Sequence, residues 1–106
     1  MPDGLPQLGL NKDRDRFTIT VSGEVDLSNV HNIDSAVKLA LSNKPCAAVT
    51  LDLAGVTFMD CSGLSALLTI TSDCKEKSAV LAIVNSRPCV TRLIELASLD
   101  GVLPVS

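Results

Sequence analysis

The chain has 106 residues, of which 46% are hydrophobic and 20% charged, so it is one domain with enough apolar material for a core. Nine basic against twelve acidic residues leave a net charge of −3, and the only aromatic residues are two phenylalanines. That argues against a nucleic-acid binder, which normally carries a basic patch, and leaves no aromatic platform for stacking bases. The longest apolar run, residues 79–84, is far short of the roughly 20 residues of a membrane span. The N-terminus lacks the basic start and apolar stretch of an export signal, so the expected compartment is the cytoplasm.

Residues 1–6 carry two prolines and a glycine and read as a loose end of a single domain spanning 1–106. Leu8 and Leu10 alternate with small or polar neighbours as a short strand. Residues 11–16 are polar and charged and read as a solvated turn. Phe17, Ile19 and Val21 then alternate strictly, predicting a half-buried strand that forms a hairpin with the first.

Gly23, Glu24, Val25 and Asp26 break that strand, and Asp26 or Ser28 can cap a helix. Val30, Ile33, Val37, Ala40 and Leu41 recur at helical spacing up to a stop at residues 43–45. His31 lies beside this stripe and reads as solvent-facing, with interface contact as the alternative. Val49, Leu51 and Leu53 mark a strand over 48–53.

A helix is predicted from about Ser62 to Lys77, with Leu64, Leu67, Leu68, Thr71, Cys74 and Lys75 on one stripe. The apolar run 79–84 fits a strand covered on both faces. Ser86 can cap a third helix with Pro88 in its first turn. Its stripe is Val90, Leu93, Ile94 and Ala97. Val102 and Leu103 are a candidate last edge strand. The class is α/β, order ββαβαβα with that optional terminal strand. Its small mixed, mostly parallel sheet is joined by βα crossovers. Periodicity does not decide whether the helices cover one face or both.

Function in open α/β sheets collects at the carboxyl ends of strands. Two loops there are more polar than a turn requires: Gly23 to Asp26, and Asp60-Cys61-Ser62-Gly63-Leu64. The second opens a helix, whose free N–H groups favour an anion. The same residues also suit ordinary capping by Asp60 or Ser62 and tight helix–strand packing at Gly63.

The stretch from Val49 to Leu64 resembles the signature of the STAS family, the anti-sigma-factor antagonists and related domains of sulfate transporters. Gly23-Glu24-Val25-Asp26 is similar to that family's Gly-Glu-Leu-Asp motif. The segment from Arg87 to Leu93 resembles the start of its third helix. The resemblance covers about residues 8–105. It implies a binding module, not an enzyme, that holds an anti-sigma factor, often a serine kinase, and so frees a sigma factor. It implies a partner surface at Glu24, Asp26, Ser28, Asp60, Cys61, Ser62, Gly63 and Leu64. In that surface Asp60 fixes the loop, Gly63 lets the partner approach, and Ser62 caps the helix or accepts phosphate. Some STAS proteins are instead subunits of transport or stress-signalling complexes. No cofactor, metal or small-molecule ligand is expected.

The family's phosphorylated serine directly follows the aspartate, where this chain has Cys61; serine stands one place later, at Ser62. Three readings follow: no phosphoregulation of the usual kind, phosphate on Ser62, or a redox switch at Cys61. A helix N-terminus favours thiolate, the form that oxidises, whereas Asp60 next to it opposes this. Regular crossovers bring Cys61 and Cys89 to one sheet edge and Cys46 and Cys74 to the other. Cys89 is therefore the bridging partner open to Cys61, if their Cα atoms lie within about 7 Å. Apart from Cys61, the cysteines read as reduced, buried small hydrophobes. A thiol enzyme is not supported, because the sequence holds no Cys-x-x-Cys pair and no histidine placed as a base. Nucleotide hydrolysis is disfavoured too, because the sequence has no phosphate-binding Gly-x-x-x-x-Gly-Lys-Ser/Thr loop.

Overall fold

The computed structural model describes residues 7–43, 46–99 and 101–104. The expected loose end at 1–6 lies outside them. Seven elements follow in order: β1 (Gln7–Asp13), β2 (Arg16–Val25), α1 (Val30–Ser42), β3 (Ala48–Met59), α2 (Cys61–Glu76), β4 (Val80–Val84) and α3 (Pro88–Leu96). The sheet order is β1-β2-β3-β4, with β1 antiparallel to β2 and the other pairs parallel.

The hairpin extends further than its apolar alternation. Both strands run into the charged stretch and leave only Arg14 and Asp15 as the turn, with Arg14 at φ 59°. The ladder needs only backbone groups, so the exposed polar residues of an edge strand can continue it.

β2 likewise does not break at Gly23, which adopts φ 93° within the strand. β3 does not stop at Leu53 either. It passes its partner with an extra residue at two places, between the pairs Thr20–Asp52 and Ser22–Gly55 and between Gly23–Val56 and Glu24–Phe58. Each bulge reverses which side the next residue faces. Leu53, Val56 and Met59 therefore all turn inward at intervals of three, and a two-residue alternation cannot detect them.

One core forms. Ile19, Val21 and Val25 of β2 and Val49, Leu51 and Leu53 of β3 meet Ile33, Val37 and Leu41 of α1. α2 contributes Leu64, Leu67, Ile70 and Cys74, and α3 contributes Val90 and Ile94. The α2 stripe thus includes Ile70 in place of the expected Leu68, Thr71 and Lys75, of which Leu68 and Lys75 are exposed and Thr71 half-buried. Ala97 follows α3 as its exposed C-cap rather than joining its stripe.

The other sheet face, with Thr18, Thr20, Thr50 and Asp52, has no buried residue among those described. This corrects the expectation for β4. It is an edge strand on which only Ile83 is buried, and Val80 is 69% exposed. A short run of β-branched residues reads alike whether one face or both are covered. The expected terminal strand is a turn. Leu103 is buried in the core and Pro104 O accepts the Ile83 N–H at 2.9 Å, so among the described residues the segment meets β4 through this bond and not through a strand ladder.

Candidate functional site at the paired Asp-x-Ser turns

β2 and β3 end side by side, Val25 opposite Met59. Asp26 and Asp60 therefore leave the sheet at the same edge. The Asp60 N–H donates to Val25 O at 3.2 Å and ties the second turn to the first strand.

Asp60 is the N-cap of α2. One carboxylate oxygen accepts the Ser62 N–H at 2.9 Å, the Gly63 N–H at 3.3 Å and the Ser62 hydroxyl. This satisfies backbone donors that a helix start leaves free. The Ser62 hydroxyl holds the Asp60 carboxyl below the usual carboxylate range. Desolvation opposes this, and the backbone N–H groups of Gly63, Ser62 and Leu27 add to it.

The first turn repeats the device. Asp26 accepts the Ser28 N–H at 2.9 Å and its hydroxyl at 2.5 Å on one oxygen. Neither Asp26 nor Ser28 is the cap of α1, because the Asp26 carboxylate is turned onto Ser28. The N-cap is Asn29, whose side chain makes no capping bond. Instead Asn29 Oδ1 accepts the Asp26 N–H at 3.0 Å, and its Nδ2 donates to Glu24 O at 3.0 Å. Asn29 is fully buried and pins the whole loop. Sequence reasoning missed it, although an Asn directly before a helical stripe is a recognisable signal.

The expected partner residues divide by exposure. Glu24, Ser28 and Cys61 are exposed, and Asp26, Asp60 and Ser62 are half-buried. Gly63 and Leu64 are buried. A Cβ on Gly63 would overlap the Met59 side chain, 2.9 Å from its Sδ, so glycine here lets α2 sit close against the end of β3. Leu64 belongs to the core beneath the turn.

At the start of α3, Ser86 does not cap: its hydroxyl pairs with Thr91 Oγ1 at 2.8 Å, and Arg87 is the N-cap with Pro88 behind it. Arg87 Nε donates to Ala54 O at 2.5 Å, which fastens this segment to the first bulge of β3.

The four thiols are free. Cys61 and Cys89 open α2 and α3 at the carboxyl end of the sheet. Cys89 is exposed rather than buried, with its Sγ 3.7 Å from Thr57 O. Cys46 is half-buried and Cys74 buried. Burial pushes the Cys74 thiol up to about 11, with Cys46 and Asp73 adding to it. Among the described residues no three His, Cys, Asp or Glu side chains gather as a metal site. No helix among them is long and apolar enough to cross a membrane.

Beside the turn, α1 and α2 leave an open groove of about 400 Å³. Ser62 belongs to both turn and groove, and the exposed His31 lines it from α1.

A model of the STAS domain matches residues 10–106. The chain belongs to the STAS domain family. Over 99 residues it is 25% identical to the anti-sigma F factor antagonist of Paenibacillus polymyxa, covering 93% of this chain and 85% of that protein. Its fold is similar to the crystal structure of an anti-sigma factor antagonist from Mycobacterium paratuberculosis, with TM-score 0.84 and 22% identity over 98% of this chain and 87% of that one. It is also similar to the unphosphorylated anti-sigma factor antagonist SpoIIAA, with TM-score 0.78 and 19% identity over 94% and 88% of the two chains. The STAS match includes both Asp-x-Ser turns and all three helices.

Proposed function

We propose that this STAS chain is an anti-sigma-factor antagonist, a cytoplasmic protein that binds an anti-sigma factor of the serine-kinase type and so frees a sigma factor. The observation that carries the reading is the paired turn. Two carboxylates, each holding a serine, stand side by side at one sheet edge with Cys61 exposed at the apex. Relatives that are anti-sigma factor antagonists support it. The protein acts by contact and performs no chemistry of its own. Glu24, Asp26, Ser28, Asp60, Cys61 and Ser62 form the contact surface, with Gly63 and Leu64 holding it from below.

We infer further that the turn is not switched by phosphorylation in the usual way. The side chain after Asp60 is a thiol, and the Ser62 hydroxyl is half-buried and committed to the Asp60 carboxylate. A phosphate on Ser62 would add about −1.5 to −2 charge beside that carboxylate and break the cap.

The test is affinity capture from an extract of the source cell with identification by mass spectrometry. Capture of a protein with a kinase-type ATP-binding domain that regulates a sigma factor, weakened by Asp26→Ala and Asp60→Ala, is the expected result. Capture of transport-complex subunits in its place would overturn the reading.

A further inference from the structure

We propose that the groove between α1 and α2 seats a helix of the anti-sigma partner, which brings an apolar side chain to Leu27 and a basic one to Asp34. The proposal rests on the antagonist reading and extends it from the turn to a second, adjoining surface.

The groove is continuous with the turn, since Ser62 lines both. Its α2 wall carries the small side chains Ser65, Ala66 and Thr69, which allow another backbone to come close. Leu27, which lines it, is 77% exposed, and its backbone N–H lies against the Asp60 carboxylate at the turn. An exposed leucine next to an open groove is the arrangement that amphipathic helices use for docking.

Charge selects the partner's chemistry. Asp34 lines the groove. One of its carboxylate oxygens holds Lys38 at 3.1 Å. The other is buried with no hydrogen-bond partner among the described residues. The Lys38 side chain is itself 63% exposed, so this surface pair is weakly held. Glu24, Asp26 and Asp60 add negative charge on the turn side, in a chain of net charge −3. A lysine or arginine on the incoming helix complements this field.

The experiment places the photocross-linking residue p-benzoylphenylalanine at position 27, 69, 61 or 96 of the full chain in the source cell. Cross-linked segments are then mapped by mass spectrometry. Leu96 lies on α3, outside the groove. The expected result is cross-linking from positions 27, 69 and 61 to one anti-sigma factor, but not from 96. The segment joined to 27 and 69 should be a helix bearing apolar and basic residues. Leu27→Asp and Asp34→Asn should each weaken the purified complex at least tenfold without lowering the melting temperature.

Cross-linking of the anti-sigma factor from position 61 but not from 27 or 69 would overturn the groove and leave the antagonist reading standing. Cross-linking from 27 and 69 to a second copy of this chain or to a transport subunit would also overturn it. No anti-sigma factor joined to any of the positions would remove both.

Discussion

Ser62 donates both its backbone N–H and its hydroxyl to the same carboxylate oxygen of Asp60. The serine is thus part of the cap that starts α2, while the thiol before it stands exposed at the apex. Incubation with ATP and the cognate kinase should leave the intact mass of the protein unchanged. Cys61→Ser should acquire one phosphate, located at position 61 by peptide mapping. Phosphate on Ser62 of the native chain would sink the reading of the turn.

Removing the cap should cost stability. Asp60→Ala is expected to destabilise the fold by about 1 kcal/mol, the usual loss at an N-cap. That corresponds to a drop in Tm of roughly 4–8 °C for a domain of this size. Ser62→Ala should cost less, because Asp60 keeps the backbone N–H groups of residues 62 and 63.

The same bonds make the stability of the turn pH-dependent. The Asp60 carboxyl is held below its ordinary value, first by the Ser62 hydroxyl. Its contribution is therefore fully present above the unfolded carboxylate range and lost as pH falls through the lower folded value. The stability gap between the native chain and Asp60→Asn should be widest near neutrality and close on acidification. A gap that stays constant from pH 7 to pH 3 in denaturant titrations would contradict this.

Gly55 lies at the first bulge of β3, where a Cβ would stand 2.5 Å from Ser22 Cβ and 3.1 Å from its Cα. Backbone cannot yield as a flexible side chain can. Gly55→Ala is expected to cost about 1–3 kcal/mol through overpacking. Gly101→Ala, with open space around the added carbon, should be near neutral. Equal melting temperatures for the two variants would show that the strands can part at the bulge.

The thiols should separate by reactivity. Cys61 and Cys89 are exposed and should alkylate first under native conditions. Cys74 is buried and pushed up to about 11, so about one part in a thousand is thiolate at pH 8. Cys46 is raised by burial and by Asp15 and should fall between them. Timed alkylation read by peptide mass checks the order. Fast labelling of Cys74 in the folded chain would overturn the packing of α2.

The sequence by itself determined the order ββαβαβα, the inward faces of β2, α1 and the first half of β3, and the two polar turns. Those follow from local periodicity and turn chemistry, which a side chain and its near neighbours carry. Tertiary structure decided the rest. Val56 and Met59 turn inward only because β3 bulges twice against β2. Val80 is exposed because, among the described residues, no strand lies beyond β4 and nothing covers its outer face. Asn29, and not Asp26 or Ser28, begins α1, because its amide is buried between Glu24 O and the Asp26 N–H. Leu103 joins the core through a turn rather than a strand. In each case the deciding contact lies with a residue that a periodicity count does not weigh, and only the packed chain brings the two together.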